Sequence, residues 1–312
     1  MGETYLVTGG AGFIGSHVVD ELLRRGESVR VIDNFSTGHR ENLSKTLGDV
    51  HLVEGDLRSY ERAHNAVAGV DYVIHLAALP SVPRSVQDPL TTNAVNITGT
   101  LNILLAARDA GVRRVVTASS SSVYGPSAVS PKHESLVPSP ISPYGVSKLA
   151  AEQYTAAFHA VYGLETVALW YFNVFGPRQD PNSQYSGVVP LFITSALEGK
   201  NPVIYGDGLQ TRDFTYVSNI VDATLSAMSA DKAAGRVINV GCGDSHSLLD
   251  LVAAIEQAWG QPLAPGFAPE RAGDVKHSCA DISLGRELIG YEPRVSFDEG
   301  VGATFTALAN SA

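Results

Sequence analysis

Tyr144 and Lys148 stand four residues apart in SPYGVSK, near the start of a helical stretch, so both side chains fall on one face about one turn apart. That spacing suits a tyrosine base. An unperturbed phenol titrates near about 10 and is almost wholly protonated at neutral pH, and a neighbouring ammonium favours the phenolate. A catalytic base works best with a pKa near the ambient pH. The same pair also occurs on exposed helix faces with no role at all. Upstream, SSSSVYG (Ser119 to Gly125) closes a strand-like run, where a hydroxyl could share or pass a proton. Composition does not tell the four serines apart, and a polar strand-to-loop transition needs no function.

A second motif lies at the N-terminus. TGGAGFIG (Thr8 to Gly15) sets Gly9, Gly12 and Gly15 directly after a first strand and at the opening of a first helix. Glycines there permit a tight turn and a close backbone approach to a pyrophosphate, whose charge then sits at the positive end of the helix dipole. A second strand ends at Asp33, near the roughly 20-residue offset at which a carboxylate accepts hydrogen bonds from adenosine ribose hydroxyls. A carboxylate would repel a 2′-phosphate, so NAD is expected over NADP, although Asp is also common at plain turns. Asp56 and Leu57 are read as ending a third strand and flanking the adenine, and Ala77 and Ala78 as ending a fourth, where small residues allow a cofactor to pass.

The elements that must hold these groups alternate. Apolar runs at Thr4 to Thr8, Ser28 to Asp33, Val50 to Asp56, Val70 to Ala78, Arg113 to Ser120 and Thr166 to Phe172 read as parallel strands buried on both faces. Helically spaced segments run from Ile14 to Leu23 before Gly26 and from Leu90 to Leu105 before Gly111. The expected architecture is α/β, a Rossmann-type doubly wound parallel sheet with a smaller mixed α/β substrate-binding lobe. The nucleotide-binding part spans 1–173 with a returning segment at about 215–241, where RVINVG resembles another buried strand. The second lobe takes 174–214 and 242–312, in which Pro, Gly, Asn and Gln break the rhythm.

Composition narrows the class. The 312 residues carry 22 Lys+Arg against 32 Asp+Glu, a net charge of -10 that argues against nucleic acid as a partner. With 44% hydrophobic and 17% charged residues, the chain is neither disordered nor too small for a core. No apolar stretch approaches the roughly 20 residues of a membrane helix, and Met1 leads straight into a strand without a basic leader. The expectation is a cytoplasmic protein without membrane contact. Cys242 and Cys279 form neither a disulfide framework nor a zinc pattern, and no metal site is expected.

TGGAGFIG, Asp33, SSSSVYG and YGVSK, followed by YFNVFGPRQDP, TRDFTYV and RAGDVKHSCADIS, resemble the extended short-chain dehydrogenase/reductase family, and within it the UDP-sugar 4-epimerases, over essentially the whole chain. The resemblance implies that Tyr144 is the base, that Lys148 lowers its pKa and holds the nicotinamide ribose, and that Ser120 is the hydroxyl completing the site. It implies NAD contacts from Gly9, Gly12, Phe13, Ile14, Asp33, Asn34, Asp56, Leu57, Ala77 and Ala78, with Asn96 supporting the active-site helix. On the sugar nucleotide it implies diphosphate contacts from Arg212 and Arg271, a uridine-ribose contact from Asp274 and uracil stacking by Tyr205. Asn173, Ser81, Arg84, Ser122, Val189 and Ser278 complete the implied substrate set. A homodimer is a further implication of the family.

Dehydratases in that family carry an Asp-Glu pair directly after the hydroxyl residue, where this chain has Ser121 and Ser122, and decarboxylases carry a glutamate at the position of Ser122. Both are disfavoured. A regulator that merely senses NAD would not need Tyr144, Lys148 and the arginines. Glucose-restricted epimerases carry a bulky tyrosine where Ser278 stands, so a 2-acetamido sugar fits here; space permits without compelling, and UDP-glucose and UDP-glucuronate remain open. Asp180, where glucuronate 4-epimerases have an arginine, counts against the uronate, while Arg84 could still meet an acid group.

Overall fold

The computed structural model describes residues 2–181, 187–270 and 276–310. Val, Ile and Leu runs in the first half form strands β1 (Thr4–Thr8), β2 (Ser28–Asp33), β3 (Val50–Glu54), β4 (Tyr72–His75), β5 (Arg114–Ser120) and β6 (Glu165–Tyr171), and β7 (Arg236–Val240) joins them from much later in the chain. Their order in the sheet is β7-β6-β5-β4-β1-β2-β3, and every neighbouring pair is parallel. The order reverses between β1 and β4, the crevice where such sheets bind ligands.

Helices α1 (Phe13–Arg24), α2 (Tyr60–Val67), α3 (Gly99–Ala110) and α4 (Pro143–Tyr162) connect the strands. α5 (Val188–Leu197), α6 (Val217–Ser229), α7 (Leu248–Trp259), α8 (Ser283–Ile289) and α9 (Phe297–Ala309) follow. Successive strand residues serve opposite faces. Val7, Val31, Ile74 and Val116 pack with α1 and α6, while their neighbours Leu6, Ile32, Val73 and Val115 pack with α2 and α3. Burying each such side chain contributes roughly 1.5–3 kcal/mol, so helices must cover both faces. A third core, built by Phe192, Ile204, Phe214, Leu251, Phe297 and Phe305, lies among α5, α7 and α9.

The expected strands differ from the observed ones mainly at their ends. β3 is not buried on both faces, because it is the edge of the sheet, and His51 and Glu54 are exposed. β4 stops at His75, short of Ala77 and Ala78, because the Thr8 hydroxyl captures the N–H groups of Leu76 (3.2 Å) and Ala77 (3.1 Å) as the chain peels from the ladder. The run from Leu90 to Leu105 sits in a longer helical stretch interrupted by a π turn at Ala94–Thr98, and Gly111 caps its far end at φ +70°. In the second half, ladders of two or three residues replace long strands: Thr211–Arg212 pairs with His246–Ser247 and His277–Ser278, and Val203–Tyr205 with Gly266–Ala268. No helix among the described residues is long and apolar enough to cross a membrane. Burial pushes the Cys242 thiol up to about 12 and the Cys279 thiol to about 11, and both are free.

Candidate active site

The turn after β1 is shaped for glycine. Gly9 adopts φ +69°, and a Cβ there would lie 2.8 Å from the backbone of Ala77 across the switch point. A Cβ on Gly15 would lie 2.1 Å from the Gly9 carbonyl oxygen, so β1 and α1 approach as closely as two backbones can. α1 opens at Gly12 without a side-chain cap or an acidic residue in its first turn, which holds the half-buried Phe13 and Ile14. Its N–H groups and dipole therefore suit an anion.

Asp33 closes β2 beside this turn. It is 8% exposed, and its carboxylate accepts the N–H of Ala11 (3.0 Å) and of Phe35 (2.8 Å). Burial raises its pKa and those hydrogen bonds oppose the rise. Asn34 donates to Asp56 (3.0 Å), whose carboxyl the Arg58 guanidinium holds at about 2, and Leu57 follows, buried. Glycine cradle, uncapped helix and strand-end carboxylate together fit a dinucleotide lacking a 2′-phosphate.

Behind the crevice runs a buried polar chain of which sequence reasoning had named Asn96 alone. Thr8 Oγ1 already accepts two N–H groups, so its hydrogen goes to His75 Nδ1 (2.8 Å), and His75 Nε2 donates to Thr100 Oγ1 (2.9 Å). Thr100 Oγ1 donates to the Asn96 carbonyl (2.6 Å). The Asn96 amide donates to Leu79 O (3.2 Å) and Ser147 Oγ (2.9 Å) and accepts the Leu79 N–H (2.7 Å). Asn96 is thereby spent on the loop after β4 and on α4. Burial, and behind it the Lys148 charge, hold the His75 imidazole at about 3, so it is neutral at working pH. The only sequence signal was a polar residue inside the apolar run VDYVIHLAA.

β5 delivers the serines. Ser119 turns away and donates to buried Glu152 (3.1 Å), which also accepts from Trp170. Ser120 ends the strand, and its side chain acts on the Tyr144 phenol to lower its pKa. Its Oγ lies 2.5 Å from Ser122 Oγ and accepts the Ser122 N–H at 3.2 Å. α4 starts with Pro143 at its first position and Ser142 as cap, accepting the Gly145 N–H (3.1 Å). Tyr144 falls in that first turn and Lys148 one turn on. Burial raises the Tyr144 pKa and the Ser120 hydrogen bond lowers it. Lys148, 8% exposed, donates to the Ala118 carbonyl (2.9 Å), and burial brings it down to about 8. The Tyr144 N–H donates to Ser85 Oγ (3.0 Å), which docks the helix Val82–Gln87, with Ser81 as its cap at φ +93° and half-buried Arg84, onto the same turn.

A cavity of about 290 Å³ lies past the end of β6, lined by Asn173, Val189, Tyr205, Gln210, Arg212 and Phe214 among others. Ser120 pairs with Tyr171 across the β5-β6 ladder, so Asn173 follows two residues beyond the position opposite Ser120. The structure thus gathers Asn173, Val189, Tyr205 and Arg212 around one space, with Ser278 in register beside Arg212 and outside the lining. Ser81, Arg84 and Ser122 sit on the Tyr144 side instead. Arg271 and Asp274 lie outside the described residues. Among the described residues no group of three or more His, Cys, Asp or Glu could hold a metal ion.

Comparison with known proteins places the whole chain in a family. The NAD dependent epimerase/dehydratase family model matches residues 5–241. Over 98% of its length, the chain is 39% identical to the UDP-glucose 4-epimerase of Mycolicibacterium smegmatis, of which it covers 98%. Among solved structures it is similar to the Thermotoga maritima UDP-glucose 4-epimerase with UDP-glucose (38% identity, 99% of each chain, TM-score 0.94). It is also similar to the Methanobrevibacter ruminantium UDP-N-acetylglucosamine 4-epimerase in complex with UDP-N-acetylmuramic acid (41% identity, 100% of each chain, TM-score 0.95). With the match reaching from β1 through β7 and relatives aligned end to end, the chain belongs to the NAD dependent epimerase/dehydratase family.

Proposed function

We propose that the chain is an NAD-dependent UDP-hexose 4-epimerase, acting on the UDP-N-acetylglucosamine or UDP-glucose class. The observation that carries this reading is the Tyr144 phenol, whose pKa Ser120 lowers, with Lys148 one turn on, together with a cavity past the end of β6 bearing Arg212, Tyr205 and Asn173. NAD, when bound, would supply the two-electron acceptor and donor for C4, so that inversion there carries no net redox change. Gly9, the start of α1 and Asp33 would hold that cofactor. Tyr144 takes the 4′-hydroxyl proton as the ketone forms and returns it as the alcohol re-forms. Ser120 orients the phenol. Lys148, brought down to about 8 by burial, supplies a nearby ammonium that favours the phenolate. Arg212 suits the diphosphate and Tyr205 the uracil, so binding energy is concentrated on UDP and the keto sugar is left able to turn.

Ser122 offers a hydroxyl at 2.5 Å from Ser120, where elimination or decarboxylation by the family's route needs a carboxylate, which disfavours both. A second reading, UDP-glucuronate 4-epimerase, rests on Arg84, carried by the helix docked on the Tyr144 turn. Incubation with UDP-glucose, UDP-N-acetylglucosamine and UDP-glucuronate separately, followed by proton NMR, is expected to show C4 epimers of the first two, and denatured protein to release NAD. A net oxidation, or loss of water or carbon dioxide, refutes epimerisation.

The same reading includes a homodimer. Val146, Tyr154 and Val161 recur along α4 at 51%, 40% and 70% exposure, and Val86 and Leu90 on neighbouring turns at 64% and 82%, an apolar strip that a second copy could cover. Sedimentation is expected to give twice the 33.0 kDa chain mass, and the single-chain mass would refute the dimer. A cytoplasmic setting fits the two free thiols.

A further inference from the structure

Asp213 follows Arg212 and is fully buried, at 0% exposure. Its carboxylate accepts four hydrogen bonds: Oδ1 from the Cys242 N–H (2.7 Å) and the Thr215 hydroxyl (3.3 Å), Oδ2 from the N–H groups of Gly243 and Ala280 (3.0 Å each). Cys242 and Gly243 lie just past the end of β7, and Gly241 passes so close that a Cβ on it would stand 2.7 Å from Oδ2. The main chain of Asp213 is engaged as well. Its N–H donates to the Ser278 carbonyl (2.8 Å), and its carbonyl accepts the Asn173 amide (3.3 Å). Burial raises its carboxyl pKa to about 6 against the pull of these donors, which leaves it ionised at neutral pH.

Three of the residues assigned to the sugar nucleotide, Arg212, Ser278 and Asn173, are therefore one bond from Asp213, and its side chain reaches back to the sheet that carries Ser120. We propose that Asp213 is a positioning residue: it fastens the strands bearing Arg212 and Ser278 to the end of β7 and so sets the UDP-anchored sugar against Tyr144. The inference rests on the epimerase reading. Arg212 and Ser278 share one ladder and shift together, so loosening this joint leaves UDP its contacts and displaces the sugar from the reacting group. Displacements of about 1 Å at a reacting centre cost on the order of 10²-fold in rate.

Asp213→Asn keeps the shape and puts an N–H group against at least one of the donors. The expected result is a fall in kcat of about tenfold or more, with the Kd for UDP within about threefold of wild type and the bound NAD unchanged. Thr215→Val, which removes one donor from a buried site, should lower kcat in the same direction by a smaller factor, and it carries the test alone if the first variant does not fold. Unchanged kcat in the folded variants, or kcat and UDP affinity falling in parallel as in a merely loosened lobe, overturns the proposal. Wild-type protein that epimerises no UDP-sugar would instead refute the reading beneath it.

Discussion

Tyr144→Phe is expected to lower kcat by about 10²–10⁴-fold while the Kd for UDP stays within about threefold of wild type, because only the atom that exchanges the proton is removed. The middle of that range, about 10³-fold, is about 4 kcal/mol of transition-state stabilisation. The ring keeps its place, since the N–H of residue 144 remains bound to Ser85 and the Ser142 cap still holds the turn. Ser120 loses the phenol and keeps Ser122 at 2.5 Å, so the strand end does not unravel. Lys148 keeps its bond to Ala118, and the 290 Å³ cavity has no Tyr144 in its lining. The burial that raises the phenol's pKa is also why the wild-type residue needs Ser120, which lowers it. Steady-state kinetics beside calorimetric titration with UDP check this, and turnover within tenfold of wild type would remove Tyr144 from the role of base.

Much of this arrangement is legible in the sequence. Apolar runs gave away the buried strands, because a strand covered on both faces has little choice of residue type. The glycine turn and the Tyr144-Lys148 spacing were legible because their chemistry is local. Which serine meets the phenol was not, since it depends on the alternation of side chains along β5: Ser119 faces Glu152, and Ser120 faces Tyr144. The π turn that brings Asn96 inward, the neutral His75 between two threonines and the Asp213 joint escaped for a related reason. Each is defined by partners distant in sequence, 67 residues for His75 with Thr8 and 67 for Ala280 with Asp213. The second lobe was the least readable part, because ladders of two or three residues are too short to show any period.

Ser278→Tyr is expected to cut kcat/KM for UDP-N-acetylglucosamine by at least about tenfold more than kcat/KM for UDP-glucose. Ser278 has little freedom to retreat: it pairs with Arg212, its carbonyl accepts the Asp213 N–H (2.8 Å), and Ala280 two residues on is tied to the same carboxylate (3.0 Å). The backbone is thus pinned on both sides, and a phenol added at this half-buried position stands on the same face of the ladder as Arg212, which lines the cavity. A 2-hydroxyl needs little room and a 2-acetamido group needs several more heavy atoms, so added bulk acts on one substrate and largely spares the other. Single-methylene differences in a pocket already discriminate about 10–200-fold. UDP affinity should be preserved, since Tyr205 and Arg212 are untouched. Competition between the two UDP-sugars in one tube, read by proton NMR at C1, gives the ratio directly. Equal losses on both substrates would mean that Ser278 supports the ladder without gating the sugar.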